Sequence, residues 1–363
     1  MCLYAWQTRQ PHTSSDFTIF YNSAQRPPLD MYKRPPGPPR GNMNPPHFQW
    51  LLKPLTNLSI PAAAAVWRTL NLIALGGCLW WLARHSDERW SAADLGAVLA
   101  WSPMQSTINL NQLTWILWPL LIAAWWCWRR DRWIAGAIAF GVALSFKPFL
   151  AVFLIWLVTR RQWRAVFAAS GSAVAALGLG IAVYGPGVFR DWLAAVASVE
   201  WSFAVMNASV RGMLSRSLTA SGSAGVPLVI APAVVNPLFV VAAIFILVVT
   251  IVRTRRVTVD RAWPPLMAAS LLASPLGWLY YIWWILPGVK PSRLLFDSPL
   301  LWVPMVCVLW GQPSPWATVT IGSVFFWGLL VAWIRLVGDR IGRVGPEHAG
   351  EVMKCDPDAP AIG

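Results

Sequence analysis

Long apolar runs alternate with short polar loops from about residue 58 to residue 337. The clearest runs cover about 58–83, 165–184, 227–252 and 316–337. Each is close to the ~20 residues that an α-helix needs to cross a bilayer. Several other runs are shorter or contain proline. The pattern predicts an all-α polytopic membrane protein with roughly 10 membrane segments, several of them short and Pro-broken, and with loops on the outer face.

Two apolar stretches are interrupted by proline and have basic flanks. In residues 129–164 the break is Lys147-Pro148, which predicts two short helices, about 133–146 and 149–159, with Lys147 at the turn. A single long tilted helix with Lys147 reaching towards a headgroup is the alternative. Ser274-Pro275 breaks the stretch Pro264–Pro287 in the same way, and again a pair of short helices is expected. A lysine at membrane depth indicates a functional site.

The remaining segments fit one topology in which the basic loops after residue 83 are cytoplasmic. It comprises a short helix at about 92–101, an outer polar turn at 105–112, a helix at about 113–128, an interfacial helix at 188–199, an outer loop up to 226, and a segment at about 300–310.

Three regions follow from this threading. Residues 1–57 form an extracytoplasmic loop with polyproline II character in its Pro-rich second half, 58–337 the polytopic transmembrane domain, and 338–363 a cytoplasmic disordered tail. The basic content of 1–57 argues against an outer location. We resolve that conflict by expecting that a transmembrane helix preceding this loop is missing from the chain.

Composition supports the same class. The chain has 363 residues, of which 56% are hydrophobic and 12% charged, with a formal net charge of +14. The basic residues cluster at the ends of apolar segments, which favours membrane lipids over nucleic acid as partners. The five cysteines are scattered and include no CxxC, so neither a disulfide framework nor a metal site is expected, and no cofactor is predicted.

The predicted outer face combines few acids with several cations. Its acids are Asp16, Asp30, Asp191 and Glu200, and its cations include Lys147, Arg211 and Arg216. A carboxylate beside a cationic pocket suits a reaction in which a hydroxyl attacks and an anionic group leaves. The same cations could hold lipid headgroups instead.

The sequence resembles the GT-C type of integral-membrane glycosyltransferases, and within it glycosyltransferase family 87, whose members use polyprenyl-phosphate-linked sugars. The resemblance extends from Asp16 to about residue 337. It is carried by Asp16-Phe17 with Tyr21, Asn44-Pro45-Pro46-His47, Asn109-Leu110-Asn111-Gln112, Ala135-Gly136, Leu144-Ser145-Phe146-Lys147-Pro148, Tyr184-Gly185-Pro186, Asn207 to Gly212, and Leu272 to Trp278.

This resemblance implies a GT-C-like helical bundle that moves a hexose, mannose being expected, from a polyprenyl-phosphate carrier to a hydroxyl on a glycolipid or glycan. It places the reaction at the extracytoplasmic face of a bacterial inner membrane. Asp16 would be the catalytic base. The substrate-binding residues would be Lys147, Arg211, His47, Asn111, Gln112 and Asn207.

For several of these residues an ordinary structural or solvent-exposed role is the alternative. Asp16 could be a solvated loop acid, Arg211 an ordinary outer cation, and His47 part of a structural turn, while Glu200 is a second candidate acid. Trp278 stands near the position where some members of the family carry a histidine. The alternative functions are a lipid-linked sugar flippase or transporter and an inactive truncated member of the family.

Overall fold

A computed structural model describes residues 16–33, 41–199, 202–219, 225–308 and 312–338. These parts are helical, apart from one isolated antiparallel bridge between Asn207 and Trp278. The α-helices of the described ranges are α1 (Asp16–Gln25), α2 (Pro46–Leu52), α3 (Ile60–His85), α4 (Ala92–Ala100), α5 (Ser102–Leu110), α6 (Thr114–Arg129), α7 (Trp133–Phe146), α8 (Val152–Thr159), α9 (Trp163–Ala197), α10 (Val210–Leu218), α11 (Val235–Thr254), α12 (Val259–Leu272), α13 (Pro291–Asp297), α14 (Pro315–Val319) and α15 (Val324–Gly338).

Four helical stretches in the described ranges are long and apolar enough to cross a membrane. They are Ile60–His85, Trp163–Ala197, Pro232–Thr254 and Pro315–Gly338. Trp133–Phe146 and Pro148–Thr159 are apolar but shorter. The all-helical membrane class is therefore confirmed, whereas the predicted count of about 10 membrane segments is not.

The predicted breaks occur where proline and glycine interrupt the apolar runs. Lys147 has non-helical dihedral angles (φ −134°, ψ 85°) between α7 and a 3₁₀ turn that begins at Pro148, which excludes one continuous helix. Gly185 has φ 84° and ψ 164°, so α9 is broken at the predicted exit, before Pro186. In the second Pro-broken stretch the first arm is α12, but the second arm, Leu279–Ile285, is a 3₁₀ helix.

Three expectations about loops and short segments were wrong. The polar stretch 105–112 is mostly the helix α5, which begins beside Pro103 and ends at a left-handed Asn111. The outer loop up to 226 contains α10, capped by the Ser209 side chain. The segment expected at 300–310 consists, up to residue 308, of short 3₁₀ turns at Pro299–Trp302 and Met305–Cys307, because Pro299 and Pro304 interrupt it.

Residues 1–57 contain two α-helices in their described parts, α1 and α2. Helix α2 begins at a proline, the residue type that favours the first turn of a helix. The polyproline II expectation for Pro35, Pro36, Pro38 and Pro39, the acid Glu200, and the tail from 339 lie outside the described residues. The three predicted regions remain predictions.

Small residues allow the central helices to approach closely. Helix α7 packs between α6 and α9. A Cβ on Gly141 would lie 2.1 Å from the carbonyl oxygen of Ala169, and one on Gly136 would lie 2.6 Å from the Trp128 ring. Because apolar side chains gain little from leaving lipid, close backbone approach is a main source of packing energy between membrane helices. Helix α9 also packs on α2, and this contact places the N-terminal part of the chain on the bundle.

Candidate active site

Polar residues from distant parts of the sequence converge at one end of α7. They come from the start of α1, the 42–47 segment, the loop after α5, the Lys147 turn and the 3₁₀ segment Leu279–Ile285. The Lys147 turn and the 3₁₀ segment belong to the two Pro-broken stretches. Their breaks therefore contribute to a single site.

Asp16 is half-buried in the first turn of α1. Its Oδ2 accepts a hydrogen bond from Nε2 of Gln112, which lies 96 residues further along the chain. A carboxylate held by an amide donor is oriented and still has oxygen lone pairs that can accept a proton. The structure thus brings together two of the residues that the sequence predicted, Asp16 and Gln112.

Lys147 lies at the turn after α7, outside the four long spans. Its Nζ donates to Oδ1 of Asn44 at 3.2 Å and lies 5.1 Å from the centre of the Tyr281 ring. Desolvation lowers the pKa of Lys147 to about 8, and the negative charge of Asp16 acts in the opposite direction. The ammonium is therefore close enough to Asp16 for the two charges to interact, and it remains mostly charged at neutral pH.

His47 is buried beside the Lys147 turn. The Ser145 hydroxyl donates to the carbonyl of Val142 at 2.7 Å, so Nε2 of His47 must be the donor in its 3.1 Å contact with Ser145 Oγ. Nδ1 of His47 is then an acceptor, and it has no partner within the described residues. Burial lowers the pKa of His47 to about 4, so the ring is neutral at physiological pH. Because Nδ1 is also closed off from solvent, the predicted contact of His47 with substrate remains a prediction.

Asn44 is fixed by a network that the sequence did not predict as such. Its backbone N–H donates to Oδ1 of Asn42 at 3.0 Å, and its carbonyl accepts from the Tyr32 hydroxyl at 2.7 Å. Asn42 in turn donates to the Ser23 hydroxyl at 2.9 Å. The sequence motif at 44–47 drew attention to His47, but the contact with Lys147 is made by Asn44. The sequence feature that could have identified Asn44 is its position directly before two prolines.

Asn111 lies next to the site but faces another direction. Its left-handed conformation (φ 51°) turns the chain between α5 and α6. The Asn111 carbonyl accepts from Trp67 Nε1 at 2.9 Å, and its Oδ1 accepts from Arg68 Nε at 3.4 Å. Two consecutive residues therefore have different partners: Asn111 contacts α3, and Gln112 contacts Asp16.

Asn207 holds two loops together in the protein interior. It is fully buried, and its Nδ2 donates to the carbonyls of Ser202 (2.8 Å) and Pro275 (3.0 Å). Its Oδ1 accepts from the backbone N–H groups of Ser209 (3.2 Å) and Gly277 (2.9 Å). This geometry favours a structural role over the predicted contact with substrate.

Replacing Asn207 by Ala is expected to lower the free energy of unfolding by about 3 kcal/mol, because buried backbone groups would lose their partners. Denaturant titration of the purified full chain in mixed micelles would measure this change. Asn57→Ala is the matched control, since Asn57 is exposed. Unchanged stability combined with weaker donor binding would instead favour the predicted substrate role.

The two cations of α10 differ in environment. Arg216 is 1% exposed, and its Nη1 donates to the carbonyls of Ala204 (2.8 Å) and Asn207 (3.1 Å), so it supports the same loop. Arg211 is half-buried in the first turn of α10, and its Nε has no hydrogen-bond partner in the described ranges. The predicted role of Arg211 in binding phosphate remains a prediction.

A cluster of buried aromatic rings adjoins Lys147. Trp278 and Tyr280 stack with ring centres 5.9 Å apart, and Tyr281 packs against Trp284 at 4.5 Å. Phe149, two residues after Lys147, packs on Tyr281 at 5.5 Å. The described residues contain no group of three His, Cys, Asp or Glu side chains placed to hold a metal ion.

Comparison with known proteins agrees with the resemblance seen in the sequence. The chain is 27% identical over 279 residues to a polyprenol-phosphate-mannose-dependent alpha-(1-2)-phosphatidylinositol mannoside mannosyltransferase of Mycobacterium tuberculosis, a match covering 69% of this chain and 61% of that protein. It is 28% identical over 354 residues to a protein of the same description from Mycolicibacterium smegmatis, covering 85% of this chain and 76% of the relative. No solved structure matches the chain significantly.

The sequence profile of one family aligns with most of the bundle. It covers residues 42–280, which include His47, Gln112, Lys147 and Tyr281 but begin after Asp16. Because this match extends over more than half of the chain, the chain belongs to glycosyltransferase family 87.

Proposed function

We propose that the protein is a membrane glycosyltransferase that moves mannose from a polyprenyl-phosphate carrier to a hydroxyl group of a lipid-linked acceptor at the extracytoplasmic face of a bacterial inner membrane. Family membership and the printed descriptions of the two mycobacterial relatives support this proposal. The multi-pass arrangement, with residues 58–337 as the membrane domain, is part of the same proposal.

The observation that carries the proposal is the meeting of one oriented carboxylate and one ammonium group. Asp16 is held by Gln112, and Lys147 lies within electrostatic range of Asp16. In sugar transfer from a lipid phosphate, the acceptor hydroxyl loses a proton while the carrier phosphate leaves with negative charge. A base and a cation on opposite sides of the anomeric carbon serve both needs.

The reaction steps follow from these positions. Asp16 accepts the proton of the acceptor hydroxyl as its oxygen attacks the anomeric carbon. The bond between that carbon and the phosphate oxygen breaks, and the electron pair stays on the carrier phosphate. Lys147 stabilises the departing charge by a charge-assisted hydrogen bond. Proton transfer to Asp16 and charge stabilisation by Lys147 thus account for the transfer, and no redox step is needed.

The surrounding residues position these two groups. Gln112 orients the Asp16 carboxylate, and Asn44 fixes the Lys147 ammonium, which also packs on the face of Tyr281. The predicted contact of His47 with the sugar is part of the same proposal. Tyr280 stacks on Trp278 and packs on Tyr281.

A direct test uses membranes that contain the full chain, a radiolabelled polyprenyl-phosphate mannose and an extracted lipid acceptor. The proposal expects a labelled glycolipid from the wild type and from Asp191→Asn, whose carboxylate is exposed in α9. It expects none from the double variant Asp16→Asn/Lys147→Ala. Movement of intact donor between the leaflets without a new glycoside would identify a flippase and overturn the proposal.

A further inference from the structure

The part of α9 that follows the break at Gly185 packs on the N-terminal region of the chain. This distal segment of α9, residues 186–197, contributes two side chains to a small buried cluster that is separate from the main core. The buried members of the cluster are Met31, Tyr32, Val188 and Trp192. The broken helix therefore holds a segment from the start of the chain.

Trp192 of the distal segment also makes a directed contact. Its side chain is buried, and its Nε1 donates to the Met43 carbonyl at 3.0 Å, across 149 positions of sequence. The N–H of the same peptide unit belongs to Asn44 and donates to Oδ1 of Asn42 at 3.0 Å. The peptide that joins Met43 to Asn44 is thus held at both its oxygen and its nitrogen.

The peptide on the other side of Asn44 is held as well. The Asn44 carbonyl accepts from the hydroxyl of Tyr32, a neighbour of Trp192 in the cluster, at 2.7 Å. Residues 41–45 belong to no helix or strand, so no helical or strand hydrogen bonds fix this backbone. Because its polar groups are buried and bond to side chains, those side chains decide where Asn44 lies.

The position of Asn44 matters for Lys147. Asn44 Oδ1 accepts from the Lys147 ammonium at 3.2 Å. A shift of the Asn44 backbone would carry this oxygen away from the ammonium, because the asparagine side chain is short. The hydrogen bond made by Trp192 is therefore connected to Lys147 through one peptide unit and one side chain.

We infer that Trp192 is a positioning residue for sugar transfer, which holds the Asn44 side chain against the Lys147 ammonium through the Met43–Asn44 peptide, with the Tyr32 hydroxyl holding the next peptide. This inference rests on the proposed function for the role of Lys147 in the reaction. The effect of Trp192 on the ammonium itself does not require sugar transfer.

Trp192→Phe removes the indole N–H and keeps an aromatic ring in the cluster. With the purified full chain, kcat/KM for polyprenyl-phosphate mannose is expected to fall about fivefold, the effect of losing about one hydrogen bond. Tyr32→Phe, the second variant, should cause a loss of similar size. Trp163→Phe is the matched control, since Trp163 is an exposed tryptophan of the same helix and should behave like the wild type.

A double variant shows whether Trp192 acts through the Asn44 side chain. In the background Asn44→Ala, Trp192→Phe is expected to cause no further loss of kcat/KM, because the oxygen that Trp192 positions is already absent. The backbone and the aromatic cluster remain in that background. A further fivefold loss would therefore show a general structural role of Trp192 and overturn the inference.

The titration of Lys147 provides a measurement that needs no sugar transfer. The rate of Lys147 acetylation by acetic anhydride, read by mass spectrometry of its peptide, rises with pH as the ammonium loses its proton. The midpoint should lie about 0.5 pH unit lower in Trp192→Phe, because a weaker hydrogen bond to Asn44 stabilises the charged form less. The titratable groups around the ammonium are unchanged in this variant; they are Asp16, Tyr281 and His47.

The two measurements distinguish failure of the inference from failure of the proposed function. An unchanged midpoint in Trp192→Phe overturns the inference, whatever the transfer rate, and so does a wild-type kcat/KM in an enzyme that transfers mannose. If the wild type makes no glycolipid but the midpoint moves in Trp192→Phe and not in Trp163→Phe, the proposed function fails. The positioning of the Lys147 ammonium by Trp192 then stands.

Discussion

Asp16→Asn is expected to lower kcat for mannose transfer by about 10²- to 10⁴-fold, the range typical for loss of a general base. The change is nearly isosteric, and an asparagine oxygen can still accept the hydrogen bond from Gln112. Folding and donor binding should therefore be preserved. An amide oxygen cannot take a proton from the acceptor hydroxyl at neutral pH, so the loss should appear in kcat.

Initial rates at saturating donor and acceptor would measure this effect. Asp191→Asn provides the control, since it also removes one carboxylate but at an exposed position in α9. A wild-type rate for Asp16→Asn would eliminate Asp16 as the base. It would direct attention to Glu200, the second acid considered from the sequence.

Lys147→Ala is expected to reduce kcat/KM for the polyprenyl-phosphate donor by about 10²- to 10³-fold, as for removal of one donor that stabilises transition-state charge. The ammonium lies in a partly desolvated environment between Asn44 and Tyr281, where its attraction for phosphate is stronger than in water. Donor titration with the purified enzyme would measure the change. Lys53→Met is a suitable control, because it also removes one lysine ammonium. The Lys53 ammonium donates to the Ala24 carbonyl in the N-terminal part of the chain.

The titration of Lys147 adds a pH dependence with a defined sign. Its pKa of about 8 means that the charged form dominates below pH 8 and is lost as pH rises above it. KM for the donor should therefore rise about tenfold between pH 7 and pH 9, following the fraction of charged lysine. Lys147→Arg should remove this rise, since arginine stays protonated. An equally steep rise in the arginine variant would show that another group causes it.

The amino-acid sequence by itself determined the class of the protein and most of its breaks. The hydropathy and the length of an apolar run are local properties of the sequence. The long spans predicted near 58–83 and 165–184 therefore agree closely with α3 and the first part of α9. Proline removes a backbone donor wherever it occurs, and Lys147-Pro148 therefore predicted its turn correctly. Short polar helices such as α5 were missed, because nothing in a nine-residue polar stretch distinguishes a helix from a turn.

Only the tertiary structure decided which polar residues meet. Asp16 contacts Gln112 across 96 positions of sequence, and Lys147 contacts Asn44 across 103. It also directed Asn111 to Arg68 and assigned Asn207 to a buried brace between loops. The physical reason is that apolar membrane helices are almost equally soluble in lipid on every face, so hydropathy does not specify their neighbours. Those neighbours are set by small-residue contacts and interhelical hydrogen bonds, which form only in the assembled bundle.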